Sequence, residues 1–328
     1  MKVRIISRSQ IERLISIGET IEFVEKAFEA KGLGKVQMPP KSYIFFRKYG
    51  GDFRVMPGYL EELKAAGVKV VNVHPKNPEK HNFPSVMATI LLLGPENGAP
   101  LSVMDGTLIT KMRTGAAAAV ATKYLARKDS EIIAMIGAGV QARTQLEALN
   151  DVINIDEVRV EDIVPSKAKQ YAQELGERLG LNIKPVDTTK GAVEGADIVV
   201  TVTPRRKPIV MDDWISSGTH INAIGADAPG KEELDPKILK RAKIVVDDWE
   251  QASHSGEINV PFSRGMLTRD DIYSDICSIV AQKKEGRISE EEITVFDSTG
   301  LAIQDIATAW RVYQKAEKEN VGEEVELF

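Results

Sequence analysis

A glycine-rich turn between a predicted strand and a predicted helix is the first candidate for chemistry. Ile132 to Ile136 is a continuous apolar run, as a buried parallel strand requires, and it leads directly into the turn Gly137–Ala142, which has the pattern Gly-x-Gly-x-x-Ala. In this pattern the first glycine makes a tight turn, the second admits a pyrophosphate to the backbone, and the small third residue lets helix and strand pack closely. The free amides of the helix then face the phosphates, so the sequence predicts a dinucleotide site.

An acidic residue after the next predicted strand supports this interpretation. Val158 to Val160 is predicted as a strand, and Glu161 and Asp162 follow it. A carboxylate there accepts hydrogen bonds from the adenosine ribose hydroxyls and repels a 2′-phosphate, which favours NAD over NADP. Of the two acids we assign Asp162, whose spacing from Gly137 is close to the roughly 20 residues expected. A solvated loop acid is the alternative.

The patterns around these motifs predict an α/β protein of two domains. Alternating strands and helices over residues 116–300 indicate a Rossmann-type doubly wound parallel sheet. Short β-rich runs between Gly and Pro turns over residues 41–105 indicate an antiparallel sheet in a second domain. The individual helices are predicted at 7–34, 107–126, 165–180 and 301–320, and the other strands at Tyr43–Phe46, Val68–Val73, Val86–Leu93, Ile198–Val202, Ile221–Ile224, Ile244–Val246 and Ile293–Phe296.

Composition and charge argue against several classes of function. The 328 residues carry a net charge of −5 without a long basic run, so nucleic acid and membrane surfaces are not expected partners. No stretch approaches the roughly 20 apolar residues of a membrane span, and the N-terminus is too short in apolar length for a signal peptide, which predicts a cytoplasmic protein. The single cysteine, Cys277, is expected to be buried and inert, and the four histidines lack metal-ligand spacing.

Several segments, in their order along the chain, resemble the ornithine cyclodeaminase/mu-crystallin family. They are Arg-Thr-Gly-Ala-Ala at 113–117, the glycine turn with Gln141, Asn-Ala-Ile-Gly-Ala-Asp-Ala-Pro-Gly-Lys at 222–231 and Asp-Ser-Thr-Gly at 297–300. The resemblance spans nearly the whole chain. Within the family it is closest to the archaeal alanine dehydrogenase branch, through Met38-Pro39-Pro40-Lys41, Lys69 with His74-Pro75, and residues 219–231.

The resemblance implies a homodimer that transfers a hydride between the Cα of an amino or imino acid and the nicotinamide of NAD. Residues 1–115 with 301–328 would then form an α+β domain that binds substrate and makes the dimer, and residues 116–300 would form the NAD-binding domain. Members of the family differ in the overall reaction that uses this transfer. They convert alanine to pyruvate and ammonia, convert ornithine to proline, or reduce a cyclic imine such as Δ1-pyrroline-2-carboxylate.

Lys69 and Asp227 are the candidates for catalysis. Lys69 lies among β-branched residues of a predicted strand, which suggests that one face of the strand reaches a polar cavity, where burial makes the ammonium a usable acid or base. An exposed strand lysine is the alternative. Asp227 follows a strand in a glycine-rich turn, at the end of a parallel sheet where ligands bind, although turn stabilisation alone would also explain it. The two match the family's substrate-contacting lysine and catalytic aspartate.

Arg54 and Arg113 are the candidates for holding the substrate carboxylate, because a guanidinium binds a carboxylate through two parallel hydrogen bonds. Arg113, taken to lie near a helix start, could also contact the cofactor phosphates, and a surface ion pair is the alternative for both. Ser85 stands where the family leads us to expect threonine, and His74 is expected to be structural. The remaining cofactor-binding assignments are Ser85, Thr114, Gly137, Ala138, Gly139, Val140, Gln141, Thr203, Ala223, Gly225, Asp227, Lys231 and Ser298.

The substrate stays open between three hypotheses. The first is an NAD-dependent L-alanine dehydrogenase, and the second is a cyclic-imine reductase or ornithine cyclodeaminase. Cyclodeaminases tend to carry Cys after the catalytic Asp, and Ala228 stands there in this chain, which weakens that hypothesis. The third is a mu-crystallin-like ligand-binding protein without catalysis, which the presence of both Lys69 and Asp227 disfavours.

Overall fold

The computed structural model describes residues 2–327, and the chain divides into two compact units. The first unit contains the residues up to Arg113 and those from Leu301 onward, and the second runs from Thr114 to Gly300. The division falls inside the helix Gly106–Leu125. The sequence analysis placed it within the same predicted helix, between residues 115 and 116.

The first unit is built on a mostly antiparallel sheet. Its strands are β1 (Lys2–Ile6), β2 (Val36–Gln37), β3 (Ser42–Phe46), β4 (Gly51–Leu60), β5 (Ala65–Val73), β6 (Val86–Leu93), β7 (Pro100–Asp105) and, near the C-terminus, β16 (Glu323–Glu326). They lie in the order β16-β1-β7-β6-β5-β4-β2, with β3 also paired to β4. The helices associated with this unit are α1 (Arg8–Leu14), α2 (Ile17–Gly32), α3 (Asn77–His81), the first part of α4 (Gly106–Leu125) and α12 (Ala302–Glu319).

Helix α12 packs against α2 and against β4, β5 and β6. Its residues from Ala302 to Ala309 are all buried, because the helix lies across one face of the sheet. Side chains alternate between the faces of β5, and Lys69 stands on the buried face with Gly67 and Val71. A lysine of the first unit is therefore enclosed where an apolar residue would be expected.

Two local predictions for this unit need correction. The helix predicted over residues 7–34 is two helices, because the Ser16 side chain accepts the Glu19 N–H at 3.2 Å and starts α2 afresh. Strand β4 was not predicted, since its glycines and Pro57 lower its intrinsic strand propensity. Pairing with β5 from Asp52 to Leu60 forms it nonetheless.

The second unit is an α/β domain. Its strands are β8 (Ile132–Ile136), β9 (Glu157–Glu161), β10 (Ile183–Pro185), β11 (Ile198–Thr201), β12 (His220–Ala223), β13 (Lys243–Val246), β14 (Ile272–Asp275) and β15 (Thr294–Asp297). Its helices, besides the rest of α4, are α5 (Val140–Asn150), α6 (Pro165–Leu179), α7 (Thr189–Val193), α8 (Pro236–Arg241), α9 (Trp249–Ser255), α10 (Asn259–Ser263) and α11 (Ile276–Val280). Two short 3₁₀ helices cover Asp212–Trp214 and Arg269–Asp271.

All eight strands of this unit pair in parallel, in the order β10-β9-β8-β11-β12-β15-β13-β14. The chain winds outward from β8 through β9 to β10 and then crosses to β11 on the other side of β8. This reversal creates a crevice at the carboxyl ends of β8 and β11, where doubly wound sheets bind ligands. The predicted fold class is confirmed, although β10 and β14 were not predicted.

Candidate active site

The turn after β8 has the conformation that a dinucleotide-binding turn needs. Gly137 has φ +101°, and a Cβ there would lie 3.1 Å from Thr203 Cγ2 and 3.2 Å from the Val202 carbonyl oxygen. Only glycine meets both conditions without strain. The buried Ala142 begins the close packing of α5 onto the sheet.

Open space lies over the second glycine of the turn. Gly139 is the N-cap of α5, and no heavy atom of residues 2–327 beyond its chain neighbours lies within 4 Å of where its Cβ would stand. The first backbone N–H groups of a helix have no intrahelical acceptor, and the helix dipole favours an anion beside them. The site therefore has both the room and the donors that a pyrophosphate requires.

Asp162 is tied to this turn. The Ala138 N–H donates to Asp162 Oδ2 at 2.9 Å, and the Val164 N–H donates to Oδ1 at 2.9 Å. The Gly137 N–H donates to the carbonyl oxygen of Glu161 at 2.8 Å. The amides of Gly137 and Ala138 are thus used within the protein, whereas the first amides of α5 have no acceptor within the helix. Asp162 directly follows the last residue of β9.

An arginine and a tyrosine that the sequence analysis did not select also support the turn. Arg143 Nη1 donates to the carbonyl oxygens of Ala138 and Gly139 at 2.8 and 3.0 Å, and the Tyr171 hydroxyl donates to that of Ala142 at 3.0 Å. Arg143 is also paired with Glu174 on α6. These contacts engage the carbonyl oxygens of the turn and help to fix its backbone conformation.

A buried glutamate joins the loops that follow β11 and β12. Glu233 Oε1 accepts the Thr203 N–H at 2.8 Å and the Thr203 hydroxyl at 2.6 Å, while Oε2 accepts the Gly225 N–H at 3.0 Å. A Cβ on Gly225 would lie 2.4 Å from the Thr203 carbonyl oxygen and 2.4 Å from Glu233 Oε2, so a glycine is required there. Burial raises the pKa of Glu233, and these hydrogen bonds oppose the rise.

Asp227 and Lys231 form an ion pair in the loop after β12. The Asp227 side chain is 44% exposed, whereas that of Lys231 is 18% exposed. Asn259 fixes this loop, because its Nδ2 donates to the Lys231 carbonyl oxygen at 2.8 Å and its Oδ1 accepts the Gly230 N–H at 2.9 Å. Two hydrogen bonds with Asn259 therefore hold the loop, and the candidate catalytic carboxylate of Asp227 stays accessible to solvent.

Ser298 lies at the carboxyl end of β15. Its N–H donates to the carbonyl oxygen of Ala223, at the end of β12, at 3.1 Å. Its hydroxyl is buried and has no hydrogen-bond partner among residues 2–327. Asp297, the residue before it, is fully buried, and burial raises its pKa to about 7. A buried hydroxyl without a partner is a candidate donor to a ligand.

Topology brings the predicted cofactor residues of the second unit to one edge of its sheet. Thr203, Gly225 and Ser298 follow β11, β12 and β15, as the glycine turn follows β8. Thr114 does not follow a strand but lies in α4, and its carbonyl oxygen accepts Nε2 of Gln145 on α5 at 3.1 Å.

In the first unit, Lys69 and Arg113 meet at a buried carboxylate. Lys69 Nζ lies 2.6 Å from Asp305 Oδ2, and Arg113 Nε donates to Asp305 Oδ1 at 3.0 Å. Arg113 Nη1 also donates to Gln304 Oε1 at 2.9 Å. Lys69 is 1% exposed and Arg113 is 7% exposed, so neither is the surface residue that the alternatives described. Arg113 lies in the interior of α4, not near its start as assumed from the sequence.

The environment of Lys69 makes its ammonium unusually acidic. Burial lowers its pKa most, the Asp305 carboxylate raises it, and the charges of Arg113 and Lys41 lower it, with a result of about 7. Thr110 Oγ1 on α4 lies 3.4 Å from Nζ. An amine with a pKa near neutrality can both accept and donate a proton at physiological pH.

Two other residues assigned from sequence lie on the same sheet. Arg54 on β4 donates to Asp52 Oδ1 at 3.2 Å, and its guanidinium lies 5.4 Å from the centre of the Tyr43 ring. Ser85 precedes β6, and its carbonyl oxygen accepts the N–H of His74 at 2.8 Å. The centre of the His74 ring lies 5.8 Å from that of Phe46.

The sequence profile of the ornithine cyclodeaminase/mu-crystallin family matches residues 1–320. This chain belongs to that family. The membership confirms the resemblance seen in the motifs and extends it across both units.

Individual members of the family are similar to this chain over its whole length. The alanine dehydrogenase of Archaeoglobus fulgidus is 49% identical over 329 residues, which cover 100% of this chain and 99% of the relative. The structure of an archaeal alanine dehydrogenase dimer with bound NAD has a TM-score of 0.96 at 50% identity, with 100% of each chain covered. The Δ1-pyrroline-2-carboxylate reductase of Thermococcus litoralis, solved with NADH and L-proline, has a TM-score of 0.95 at 46% identity, covering 98% of this chain and 100% of that one.

Asp305 and Glu233 were not predicted from the sequence, although both contact predicted site residues. Asp305 contacts Lys69 and Arg113. Glu233 contacts Thr203 and Gly225. Glu233 stands two residues after Lys231, so the motif that identified Lys231 could have drawn attention to it. Asp305 lies between the apolar positions Ile303 and Ile306 of α12, and a carboxylate at the edge of an apolar stripe was a weak signal. Among residues 2–327, no group of three or more His, Cys, Asp or Glu could hold a metal, and no helix is long and apolar enough to cross a membrane.

Proposed function

We propose that this chain is an NAD(H)-dependent oxidoreductase acting on the Cα–N bond of a small L-amino acid, with L-alanine dehydrogenase as the first assignment. The observation that carries the proposal is the buried Lys69, an amine whose pKa is about 7 and which lies beside the guanidinium of Arg113. The reaction converts L-alanine, NAD⁺ and water to pyruvate, ammonium, NADH and a proton. Similarity to archaeal alanine dehydrogenases over the whole chain supports it.

The charges around Lys69 suit a substrate with one carboxylate. With Lys69 protonated, the cluster of Lys69, Arg113 and Asp305 carries one net positive charge in a buried place. An anionic substrate would neutralise it, and a guanidinium fork would orient the Cα relative to the cofactor. Arg54, on the strand next to that of Lys69, supplies a second guanidinium for the same purpose.

The second unit fits NAD. The space over Gly139, the N–H groups that begin α5 and the hydroxyl of Ser298, which has no partner in the described part of the chain, are the features that a bound dinucleotide would use. Asp162 would accept hydrogen bonds from the adenosine ribose, and Thr203 and Lys231 would line the rest of the NAD site. NAD supplies the acceptor for the hydride that leaves the substrate Cα.

Two residues divide the proton transfers. The substrate ammonium must lose a proton before the Cα–H bond breaks, and Lys69 is the base because it exists partly as a free amine near pH 7. The imine then needs a water molecule activated for attack at Cα. Asp227, an accessible carboxylate paired with Lys231, is the candidate for that step.

Reduction of a cyclic imine is the second candidate function. The Thermococcus litoralis reductase is 46% identical to this chain, close to the 50% of the archaeal alanine dehydrogenase structure. The same groups would serve, since Lys69 could protonate the imine nitrogen in the reductive direction. Ala228, in place of the expected Cys, still weakens the cyclodeaminase alternative. A ligand-binding role without catalysis is disfavoured, because it would require neither the buried Lys69 nor Asp227.

A substrate panel followed at the NADH absorbance tests these assignments. NAD⁺ is mixed with alanine, ornithine or proline, and NADH with pyruvate plus ammonium or with Δ1-pyrroline-2-carboxylate. We expect the highest kcat/KM with alanine and with pyruvate plus ammonium. A higher value with the cyclic imine would replace the first assignment by the second. Proline formation from ornithine without net NADH would identify a cyclodeaminase, and inactivity throughout would contradict both enzymatic assignments.

Single substitutions test the two catalytic roles. Asp227→Ala and Lys69→Met are expected to leave NADH affinity within a few fold and to lower kcat by about 10² to 10⁴, as the loss of a general acid–base does. NADH titration by fluorescence and steady-state kinetics measure the two effects. Wild-type turnover in either variant would remove that residue from the mechanism.

We further propose a homodimer in the cytoplasm. Ile44 and Phe45 on the edge strand β3 are 52% and 63% exposed, and Tyr49 in the following turn is 71% exposed. An apolar edge strand open to solvent promotes association, so a second copy is a natural cover for it. The archaeal relative solved as a dimer supports this arrangement, whereas the cytoplasmic location rests on the sequence alone.

A further inference from the structure

The carboxylate of Asp305 divides its two oxygens between the two cations of the proposed substrate site. Oδ2 lies 2.6 Å from Lys69 Nζ and Oδ1 accepts the Arg113 Nε–H at 3.0 Å. Asp305 is 0% exposed, so solvent does not screen these interactions. No other carboxylate has a direct ion-pair contact with Lys69 among residues 2–327 in this structure.

We propose that Asp305 is a positioning residue that sets the protonation of Lys69 and fixes the directions of Lys69 and Arg113. The inference rests on the proposed function and extends it to a residue of α12 that acts through Lys69.

The balance of charges around Lys69 is the physical reason for this role of Asp305. Lys69 is faced by Asp305 from α12, by Arg113 and Thr110 from α4, and by the charge of Lys41, which precedes β3. Without Asp305, the buried ammonium would lose its carboxylate partner and keep the charges of Arg113 and Lys41 nearby, and a buried charge without its partner is strongly unfavourable. Lys69 would then shed its proton at a lower pH and lose the contact that fixes Nζ.

The protonation of Lys69 matters because oxidation and reduction need different protonation states of this side chain. Oxidation of an amino acid needs the free amine to take a proton, whereas reduction of an imine needs the ammonium to give one. The carboxylate keeps the ammonium populated against the burial and the neighbouring cations that oppose it. Asp305 thereby sets the pH range in which each direction runs.

The pH dependence of Asp305→Asn tests this inference. Asparagine has the same shape but no charge, so the acid limb of kcat/KM for alanine oxidation is expected to move down by about 1 to 3 pH units. The alkaline loss in the reductive direction, measured with pyruvate and ammonium or with Δ1-pyrroline-2-carboxylate, should begin lower by the same amount. Asp305→Glu restores the charge, so its profile should return toward that of the wild type, with a lower kcat because the carboxylate is displaced.

Glu19→Gln is the matched control. Glu19 on α2 pairs with Arg311 and Lys315 of α12 at 2.9 and 3.0 Å, so the variant removes a carboxylate whose partners on α12 are Arg311 and Lys315, not Lys69. Its pH profile should match the wild type. Unshifted limbs in Asp305→Asn, or an Asp305→Glu profile no closer to the wild type than that of Asp305→Asn, would overturn the inference. Neither result affects the proposed function, which is tested separately by the substrate panel with the wild-type protein.

Thermal unfolding keeps the inference testable if Asp305→Asn is too unstable to assay. Removing one partner of a buried pair leaves an uncompensated charge, whereas removing both relieves it. The double variant Lys69→Met/Asp305→Asn should therefore have a higher Tm than Asp305→Asn alone. Tm losses that simply add would show that the two residues are not coupled and would contradict the proposal.

Discussion

Asp162 accepts two backbone N–H groups and still has lone pairs to offer, because a carboxylate has about four acceptor positions. We expect Asp162→Ala to weaken NADH binding by roughly tenfold or more, since a hydrogen bond to a charged group contributes about 1.5 to 3 kcal/mol. The NADP/NAD ratio of kcat/KM should rise, because the repulsion of a 2′-phosphate disappears. Asp162→Asn, which can keep one acceptor for the turn, should show the change in ratio with less loss of stability. An unchanged ratio in both variants would place Asp162 away from the ribose.

Gly139 and Gly137 are glycines for different physical reasons, so alanine at each position should change a different property of the protein. Gly139 has φ −78° and open space, so Gly139→Ala should leave the Tm of the free protein unchanged. Its methyl group would occupy the proposed pyrophosphate space and weaken NADH binding by about tenfold or more, equivalent to at least about 1.4 kcal/mol.

Gly137→Ala forces a side chain to φ +101° and should lower stability by about 1 to 3 kcal/mol. Calorimetry with and without NADH measures both, and undiminished NADH affinity in Gly139→Ala would argue against a phosphate there.

At the scale of elements, the second unit depends on cross-links between the loops at one sheet edge. Glu233 reaches from the stretch before α8 to the loops after β11 and β12, and Asn259 on α10 holds the loop that carries Asp227. Such loops have no regular secondary structure of their own. Their geometry therefore depends on a few buried side chains.

Glu233→Gln should disturb these loops, because an amide cannot accept hydrogen bonds with both of its polar atoms. One of the Thr203 or Gly225 N–H groups would face a donor, at an expected cost of about 1 to 3 kcal/mol in stability. Weaker NADH binding should accompany it. Glu232→Gln is the control, since Glu232 is also buried but its Oε2 has no hydrogen-bond partner among residues 2–327. Equal losses in the two variants would contradict the specific role of Glu233.

At the scale of the whole molecule, the proposed dimer accounts for the apolar side chains left on β3. Phe45→Asp places a charge on this edge strand and should shift the protein from dimer to monomer in light scattering after gel filtration. Ile288→Asp is the control, because Ile288 is 64% exposed but lies in the second unit. A dimer that persists in Phe45→Asp and dissociates in Ile288→Asp would move the interface away from β3.

The amino-acid sequence alone determined the architecture of the second unit. Its strands are short apolar runs and its glycine turn has a local conformational requirement, so pattern and backbone chemistry indicate them without tertiary information. The predicted run Ile132–Ile136 coincides with β8, and the predicted helix 165–180 lies within one residue of α6. Family motifs added the candidate residues Lys69, Asp227 and Arg113.

Only the tertiary structure decided what surrounds those residues. Asp305 is more than 190 positions from Arg113 in the chain, and α12 brings it between Arg113 and Lys69 because its apolar stripe must cover the sheet. Strand β4, with its glycines and proline, forms through its partner strands rather than through its own propensity. Local patterns record backbone preference and apolar periodicity, whereas the partner of a buried charge depends on long-range packing that spacing along the chain does not encode.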